Sequence, residues 1–146
     1  MPIMTFPTSP DGLAVEVLLG LNDADRAVRQ AAGLPVPLMV YARGLLDTAC
    51  DATAVSPRLI QHLGPSLQGR TSTVTAGTSV IVNRFRLSVL IPGPTGVMGV
   101  TLVNPDVVVT ELAQPLPNVE VLVGLDILRE CLLIADWPGH RFTLAF

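Results

Sequence analysis

Hydrophobic and polar residues alternate along this chain in short runs that are rich in valine, leucine and threonine and are separated by glycine and proline. This pattern predicts a mostly β protein, because turn residues end each run before a long helix can form. The first strand is predicted at 13–21, an extended run at 35–48, and two further strands at 97–103 and 106–112. One face of the first strand carries Leu13, Val15, Val17 and Leu19.

Three short helical segments interrupt these strands. The segment 22–33 begins with Asn22 or Asp23 as the N-cap and closes at a glycine. The segment "SPRLIQHLG" places Ser56 at the N-cap, a proline at the first helical position and a glycine at the end. A third short helix follows the apolar run in "NVEVLVGLDILREC", with Asp126 as its expected N-cap.

Two hairpins are also predicted. The segment 71–92 forms two β-rich arms around Ala76 and Gly77, which is a turn sequence suited to a hairpin tip. The segment 92–96 is a turn, and the chain finishes with a second hairpin whose turn lies at 137–140. In the second arm of the first hairpin, Asn83, Phe85, Leu87 and Val89 alternate with Val82, Arg84, Arg86 and Ser88.

Length and composition restrict the number of domains and the kind of protein that this chain can be. A chain of 146 residues predicts a single domain spanning 1–146. Apolar residues make up 49% and the mean hydropathy is +0.55, yet no apolar run approaches the ~18 residues of a membrane span. The surplus apolar surface therefore indicates contact with another protein chain.

Charge and rare residues exclude several functions. The net charge is −3 and no basic run occurs, which argues against nucleic-acid binding. His62 and His140 lack ligand spacing, so we expect neither a metal nor another cofactor. Cys50 and Cys131 are expected to be partly buried thiols, with a disulfide or a metal site as the alternatives.

The N-terminus does not have the pattern of a signal peptide, which predicts a cytoplasmic protein. All nine cations are arginine, as is typical of a GC-rich bacterial coding sequence.

The acid at Asp47 is the most informative polar residue. It follows two leucines at the end of a buried run, where a carboxylate is costly unless it is hydrogen bonded or paired. One interpretation is an Asx-type turn that satisfies the backbone before the helix at 56–64. The other is a chemical role, and position alone favours the turn.

The context of Asp47 carries a resemblance. "LLDTACDAT" at 45–53 is similar to the hydrophobic-hydrophobic-Asp-Thr/Ser-Gly-Ala-x-x-Thr/Ser motif of the retropepsin-like, or retroviral-type, aspartic proteases. "VEVLVGLDILREC" at 119–131 is similar to the second signature of that family, Ile/Leu-Gly-x-Asp-x-Leu. The resemblance implies the retropepsin-like acid protease fold, a closed β-barrel with a flap hairpin and short helices, one lobe per chain.

The resemblance also implies roles for single residues. Asp47 becomes the catalytic acid, Thr48 bonds the backbone of a partner chain, and Gly124 packs the second signature against the catalytic loop. The resemblance implies that Asp51 lies beside the substrate main chain, although a role as a turn residue explains Asp51 equally well. A role as a helix cap explains Asp126 as well as a chemical role does. The flap is expected at 71–79, and its residues nearest the substrate are Thr73, Val74, Thr75, Ala76 and Gly77.

One aspartate per chain implies a homodimer, because this hydrolysis needs two carboxyls and the sequence holds a single Asp-Thr-small motif. The expected function is an aspartic endopeptidase that acts on a peptide or protein. The family has glycine where this chain has Ala49, and a methyl there can crowd the substrate or strain a backbone with positive φ. The alternatives are a catalytically silent peptide-binding or regulatory module of the same fold, and an unrelated β-barrel with Asp47 in a structural turn.

Overall fold

A computed structural model describes residues 1–94 and 99–146, and in this part of the chain ten strands and three short helices form. The strands are β1 (Ile3–Pro7), β2 (Ala14–Leu21), β3 (Val40–Leu46), β4 (Ala54–Val55), β5 (Gly69–Thr75), β6 (Thr78–Pro92), β7 (Thr101–Glu111), β8 (Val121–Val123), β9 (Leu132–Asp136) and β10 (Arg141–Ala145). The helices are α1 (Asp23–Ala31), α2 (Pro57–Leu63) and α3 (Leu125–Leu128). The predicted mostly β class is confirmed.

Six of the strands close into a barrel in the order β2, β3, β8, β4, β7 and β6, and the pairing of β2 with β6 completes the ring. Side chains of alternate residues fill its interior, since successive residues of a strand point to opposite faces. On β2 these are Val15, Val17 and Leu19, as the sequence predicts. On β6 the interior residues are Phe85, Leu87, Val89 and Ile91.

Strand β7 corrects one prediction. The sequence predicted two strands around Asn104 and Pro105, whereas a single strand covers both. The register against β6 steps from Leu87 opposite Val107 to Val89 opposite Asn104, so β7 carries one extra residue. Such a bulge accommodates proline, which lacks the N–H that a regular ladder requires. Residues 95–98, which include parts of the predicted turn at 92–96 and strand at 97–103, lie outside the described residues.

Helix α1 is held to the rest of the chain mainly by polar contacts. Asn22 is its N-cap and accepts a hydrogen bond from the N–H of Asp25 at 2.9 Å, as predicted, and no residue of the helix is buried. The Asp25 carboxylate accepts from the N–H and hydroxyl of Ser66 at 2.9 and 2.7 Å. Arg29 donates to the carbonyl oxygen of Gly64 at 3.1 Å. The segment 22–35 thus lies beside the C-terminal end of α2.

The ends of α2 are where the sequence predicts them. Pro57 opens the helix and Gly64 closes it with a φ of 63°. Ser56 occupies the N-cap position, but its side chain makes no capping bond and instead donates to Glu120 at 3.4 Å.

The chain termini form a separate three-stranded sheet in which β10 lies between β1 and β9. The predicted hairpin at 132–146 is present, and its turn at 137–140 follows the pairing of Asp136 with Arg141. The C-terminal strand β10 therefore pairs with strands of the same chain. None of the helices described is both long and apolar enough to cross a bilayer.

Candidate functional site

Asp47 lies at the first position after β3, where the chain leaves the barrel. Its N–H donates to the carbonyl oxygen of Val123 at 2.9 Å, which fixes the start of the loop to β8. Its Oδ1 accepts from the N–H of Ala49 at 2.9 Å, so the Asx turn considered from the sequence is present. The side chain is half-buried, and within the described chain its Oδ2 has no hydrogen-bond partner. One carboxylate oxygen thus remains open to a further ligand.

The loop that follows Asp47 is anchored by Thr53 and Asp126. Thr53 is fully buried, and both its N–H and its hydroxyl donate to the Asp126 carboxylate at 2.8 Å. The Thr53 hydroxyl oxygen also accepts from the N–H of Gly124 at 3.1 Å. The prediction that Asp126 is the N-cap of α3 is wrong, because Gly124 takes that position and the Asp126 carboxylate reaches across to the loop.

Gly124 packs directly against this loop. A Cβ on Gly124 would lie 2.7 Å from the carbonyl carbon of Ala52 and 2.8 Å from the carbonyl oxygen of Cys50. The loop carbonyls also accept hydrogen bonds from the first turn of α3, Cys50 from Leu125 at 2.8 Å and Asp51 from Asp126 at 3.1 Å. Gly124 packs against the loop as expected. Its supporting role in an active site stays a prediction.

Three other predicted site residues face solvent. Thr48 and Ala49 form the exposed tip of the loop. Ala49 does not have the positive φ that glycine favours, so its methyl imposes no backbone strain. The Asp51 side chain is 94% exposed, and its nearest cation is Arg129 at 3.9 Å.

The predicted hairpin is formed by β5 and β6. Ala76 and Gly77 both have positive φ, 49° and 78°, which is the backbone of a tight two-residue turn. Within the described residues no hydrogen bond joins the segment 73–77 to the Asp47 loop. The base of the hairpin is two strands away from that loop, since Thr53 bonds Thr110 and Thr110 pairs with Arg84.

Sequence reasoning missed two features of this region. It matched Thr53 to the end of the first motif without giving it a role, although a threonine between two alanines before a buried strand is a signal of an internal hydrogen bond. It also left out Ile81, which shares one face of the hairpin with Val74. Ile81 and Val74 are exposed, at 71% and 72%. Two large apolar residues near the tip of a predicted hairpin are the signal that could have identified them.

Cys50 lies in the same loop as a half-buried thiol, and Cys131 is likewise a free, half-buried thiol, as predicted. Burial raises the pKa of the Cys50 thiol above its ordinary value, and the negative charge of Asp47 raises it further. The Cys50 Sγ donates to the carbonyl oxygen of Ala52 at 2.9 Å. The thiol therefore favours its protonated, unreactive form.

No protein-family model and no curated protein sequence matches this chain. Among solved structures, it is similar to a retropepsin-like aspartic protease from Rickettsia conorii, with 16% identity and a TM-score of 0.60 over 98% of this chain and 89% of that one. It also matches the retroviral protease-like domain of Ddi1 from Leishmania major, with 14% identity and a TM-score of 0.46 over 90% and 88% of the two chains. The Rickettsia match spans nearly the whole of both chains and includes the barrel that carries Asp47. The chain has the fold of the retropepsin-like aspartic proteases.

Proposed function

We propose that this protein is an aspartic endopeptidase that acts as a homodimer, with Asp47 of each chain as a catalytic residue. The observation that carries the proposal is the open Oδ2 of Asp47, on an anchored loop of a retropepsin-like fold. The sequence holds one such motif, so a second carboxyl comes from a second copy. A two-fold axis beside Asp47 brings the two together.

The two carboxyls act on a water molecule that lies between them. One accepts a proton from the water, while the other donates a proton to the oxygen of the scissile carbonyl. Carboxyls roughly 3 Å apart cannot both ionise, so the pair shares one proton, as in aspartic proteases generally. The pH dependence of the rate therefore belongs to the pair rather than to either residue.

Surface area supports an assembly larger than a monomer. The chain exposes 8217 Å², whereas a compact monomer of its 15.4 kDa mass exposes about 7,200 Å². Thr48, exposed beside Asp47, is the residue that we assign to the contact with the partner backbone.

The substrate in this proposal is an extended peptide that lies between the Asp47 loop and the β5–β6 hairpin, which serves as a flap. Thr73, Thr75 and the tip residues bind its main chain, as strand-like recognition requires. Val74 and Ile81 share one face of the hairpin, opposite to the face that carries the buried Val82. These two side chains favour apolar substrate residues, and Asp51 lies at the opposite border of the cleft.

Ala49 was the reason to consider a silent module of the same fold. Its φ is not positive, so the backbone strain that would favour that alternative is absent. Crowding of the substrate by the methyl is the remaining argument for a silent module. Replacing Ala49 with glycine tests it, because a large gain in cleavage rate identifies the methyl as the obstacle.

The deciding experiment measures cleavage of an unstructured protein from about pH 3 to about pH 8 for wild type, Asp47→Asn and Glu130→Gln. Glu130 is exposed and forms no hydrogen bond with the Asp47 loop among the described residues, so its substitution by glutamine removes one carboxylate charge and serves as the matched control. Equal dimer content is established by sedimentation. We expect the Asp47 variant to lose all cleavage and the control to retain it. Equal cleavage by both variants refutes the assignment, and peptide binding without cleavage in wild type supports the silent module.

A further inference from the structure

The carboxylate of Asp126 lies between the two motifs of the site and accepts three hydrogen bonds. Its Oδ2 accepts from the N–H of Thr53 at 2.8 Å. Its Oδ1 accepts from the hydroxyl of Thr53 at 2.8 Å and from the N–H of Ile127 at 3.0 Å. Every one of these partners is a donor, so both oxygens of Asp126 serve as acceptors.

This arrangement suits an ionised carboxylate, which carries acceptors and no donor. An asparagine at position 126 that kept its oxygen at the Oδ1 position would place its NH2 group 2.8 Å from the N–H of Thr53. The reverse orientation would place the NH2 group 3.0 Å from the N–H of Ile127. Each orientation sets a donor against a backbone donor. Asp126 therefore holds its partners by its charge as well as by its shape.

The hydrogen bonds of Asp126 close the loop that carries Asp47. Thr53 is the last residue of this loop, 47–53, before β4 begins. At the start of the loop, the N–H of Asp47 donates to the carbonyl oxygen of Val123, in the strand that precedes α3. The loop is thus fixed at one end by Val123 and at the other by the side chain of Asp126.

No other charged side chain from outside the loop forms a hydrogen bond with it within the described part of the chain. Arg129 approaches the Asp51 carboxylate only to 3.9 Å, which is too long for a hydrogen bond. The remaining links to the first turn of α3 join backbone atoms, as in the bond from the N–H of Asp126 to the carbonyl oxygen of Asp51 at 3.1 Å. Asp126 is therefore the residue whose substitution tests the hold on the loop most directly.

We propose that Asp126 is a positioning residue for peptide hydrolysis and acts through Thr53 on the loop that carries Asp47. This inference rests on the proposed function, in which two Asp47 carboxyls hold a water molecule between them. Such a pair tolerates little displacement, because a shift of about 1 Å can lower the rate of a reaction about 100-fold. The charge of Asp126 fixes the end of the loop, and with it the direction of the open Oδ2 of Asp47.

Cleavage of an unstructured protein by wild type, Asp126→Asn and Glu130→Gln tests this role, with kcat and KM measured per folded dimer. Glu130→Gln removes the same charge from an exposed residue just after α3 and is the matched control. We expect kcat of Asp126→Asn to fall about 10- to 100-fold and KM to stay near its wild-type value, because the cleft itself is unchanged. A purely structural role lowers the folded fraction but leaves kcat per folded dimer unchanged.

Amide hydrogen exchange provides a second measurement that does not require cleavage. The N–H groups of Ala49 and Thr53 donate to the carboxylates of Asp47 and Asp126. We expect peptides that cover 47–53 to exchange at least about tenfold faster in Asp126→Asn than in wild type or in the control. Peptides that cover β2 should exchange at the wild-type rate.

A second pair of variants decides the question if Asp126→Asn does not fold. Thr53→Val removes the hydroxyl that donates to Asp126, whereas Thr53→Ser keeps it. We expect the valine variant to show the lower kcat and the faster exchange of the loop, and the serine variant to behave as wild type in both measurements.

The outcomes separate this proposal from the proposed function. A lower kcat with faster exchange of the loop supports both. Cleavage by wild type with an unchanged kcat in Asp126→Asn overturns the positioning role and leaves the endopeptidase standing. No cleavage by wild type refutes the endopeptidase and the role of Asp126 in hydrolysis, and faster exchange then supports only its hold on the loop. Unchanged exchange in Asp126→Asn overturns that hold.

Discussion

Substitution of Thr53 by valine tests how firmly the Asp47 loop is anchored. Valine has the same shape but lacks the hydroxyl, which donates to the Asp126 carboxylate at 2.8 Å and accepts from the N–H of Gly124 at 3.1 Å. A hydrogen bond to a charged group contributes about 1.5–3 kcal/mol, and a buried N–H left without a partner costs about 1–3 kcal/mol. The carboxylate oxygen that loses the hydroxyl still accepts from Ile127 at 3.0 Å, which limits its own loss. We therefore expect the free energy of unfolding to fall by about 3 kcal/mol.

Urea denaturation at one fixed chain concentration measures this change, because the stability of an oligomer depends on concentration. The melting temperature should fall by about 6–12 °C. Thr53→Ser is the matched control, since it keeps the hydroxyl bonds and removes one buried methyl at a cost of about 1 kcal/mol. If valine costs no more than serine, the hydroxyl does not anchor the loop and the reasoning is refuted.

Three further predictions concern the site. Gly124→Ala should lower the free energy of unfolding by at least about 3 kcal/mol in urea denaturation, because the new Cβ would lie 2.7–2.9 Å from backbone atoms. Gly33 is the control, since it lies in open space with a φ of 68°. Gly33→Ala should cost only about 1 kcal/mol. Ala76→Asn should raise the free energy of unfolding by about 0.5–1 kcal/mol, and an unchanged melting temperature would contradict the strain attributed to its φ of 49°. Alkylation of Cys50 should require a higher pH than that of a peptide thiol, because burial and Asp47 raise its pKa. Asp47→Asn should move that profile, followed by mass spectrometry of the Cys50 peptide, to lower pH.

Features set by local physics could be predicted from the sequence. The period of two on β2 identified its buried face, since strand side chains alternate whatever lies beside the strand. Pro57 and Gly64 marked the ends of α2 because one lacks an N–H and the other takes positive φ at low cost. Gly77 marked the hairpin tip for the same reason as Gly64, since it takes a φ of 78° at low cost.

Features that depend on contacts between residues far apart in the sequence could not be predicted from it. An aspartate two residues after a glycine at the start of a helix is typical of a cap. Only the fold reveals that Thr53, 73 positions earlier, donates to the Asp126 carboxylate instead. Pro105 normally ends a strand, and its place within β7 depends on a bulge whose register belongs to the pairing with β6. The apolar row of Tyr41, Leu18, Leu90 and Val103 could not be predicted either, because it exists only once four strands are in register.

The contacts of the Asp47 loop bear on how a dimer would form. Within one chain the loop is already held by the N–H of Asp47 on Val123, by the first turn of α3 and by buried Thr53. Thr48, Ala49 and Asp51 stay exposed, and one carboxylate oxygen of Asp47 has no hydrogen-bond partner among the described residues. Association therefore need not order the loop, and ordering is one of the main costs that weaken binding. Interface substitutions that break the proposed dimer should consequently abolish cleavage while leaving the loop structure of the single chain unchanged.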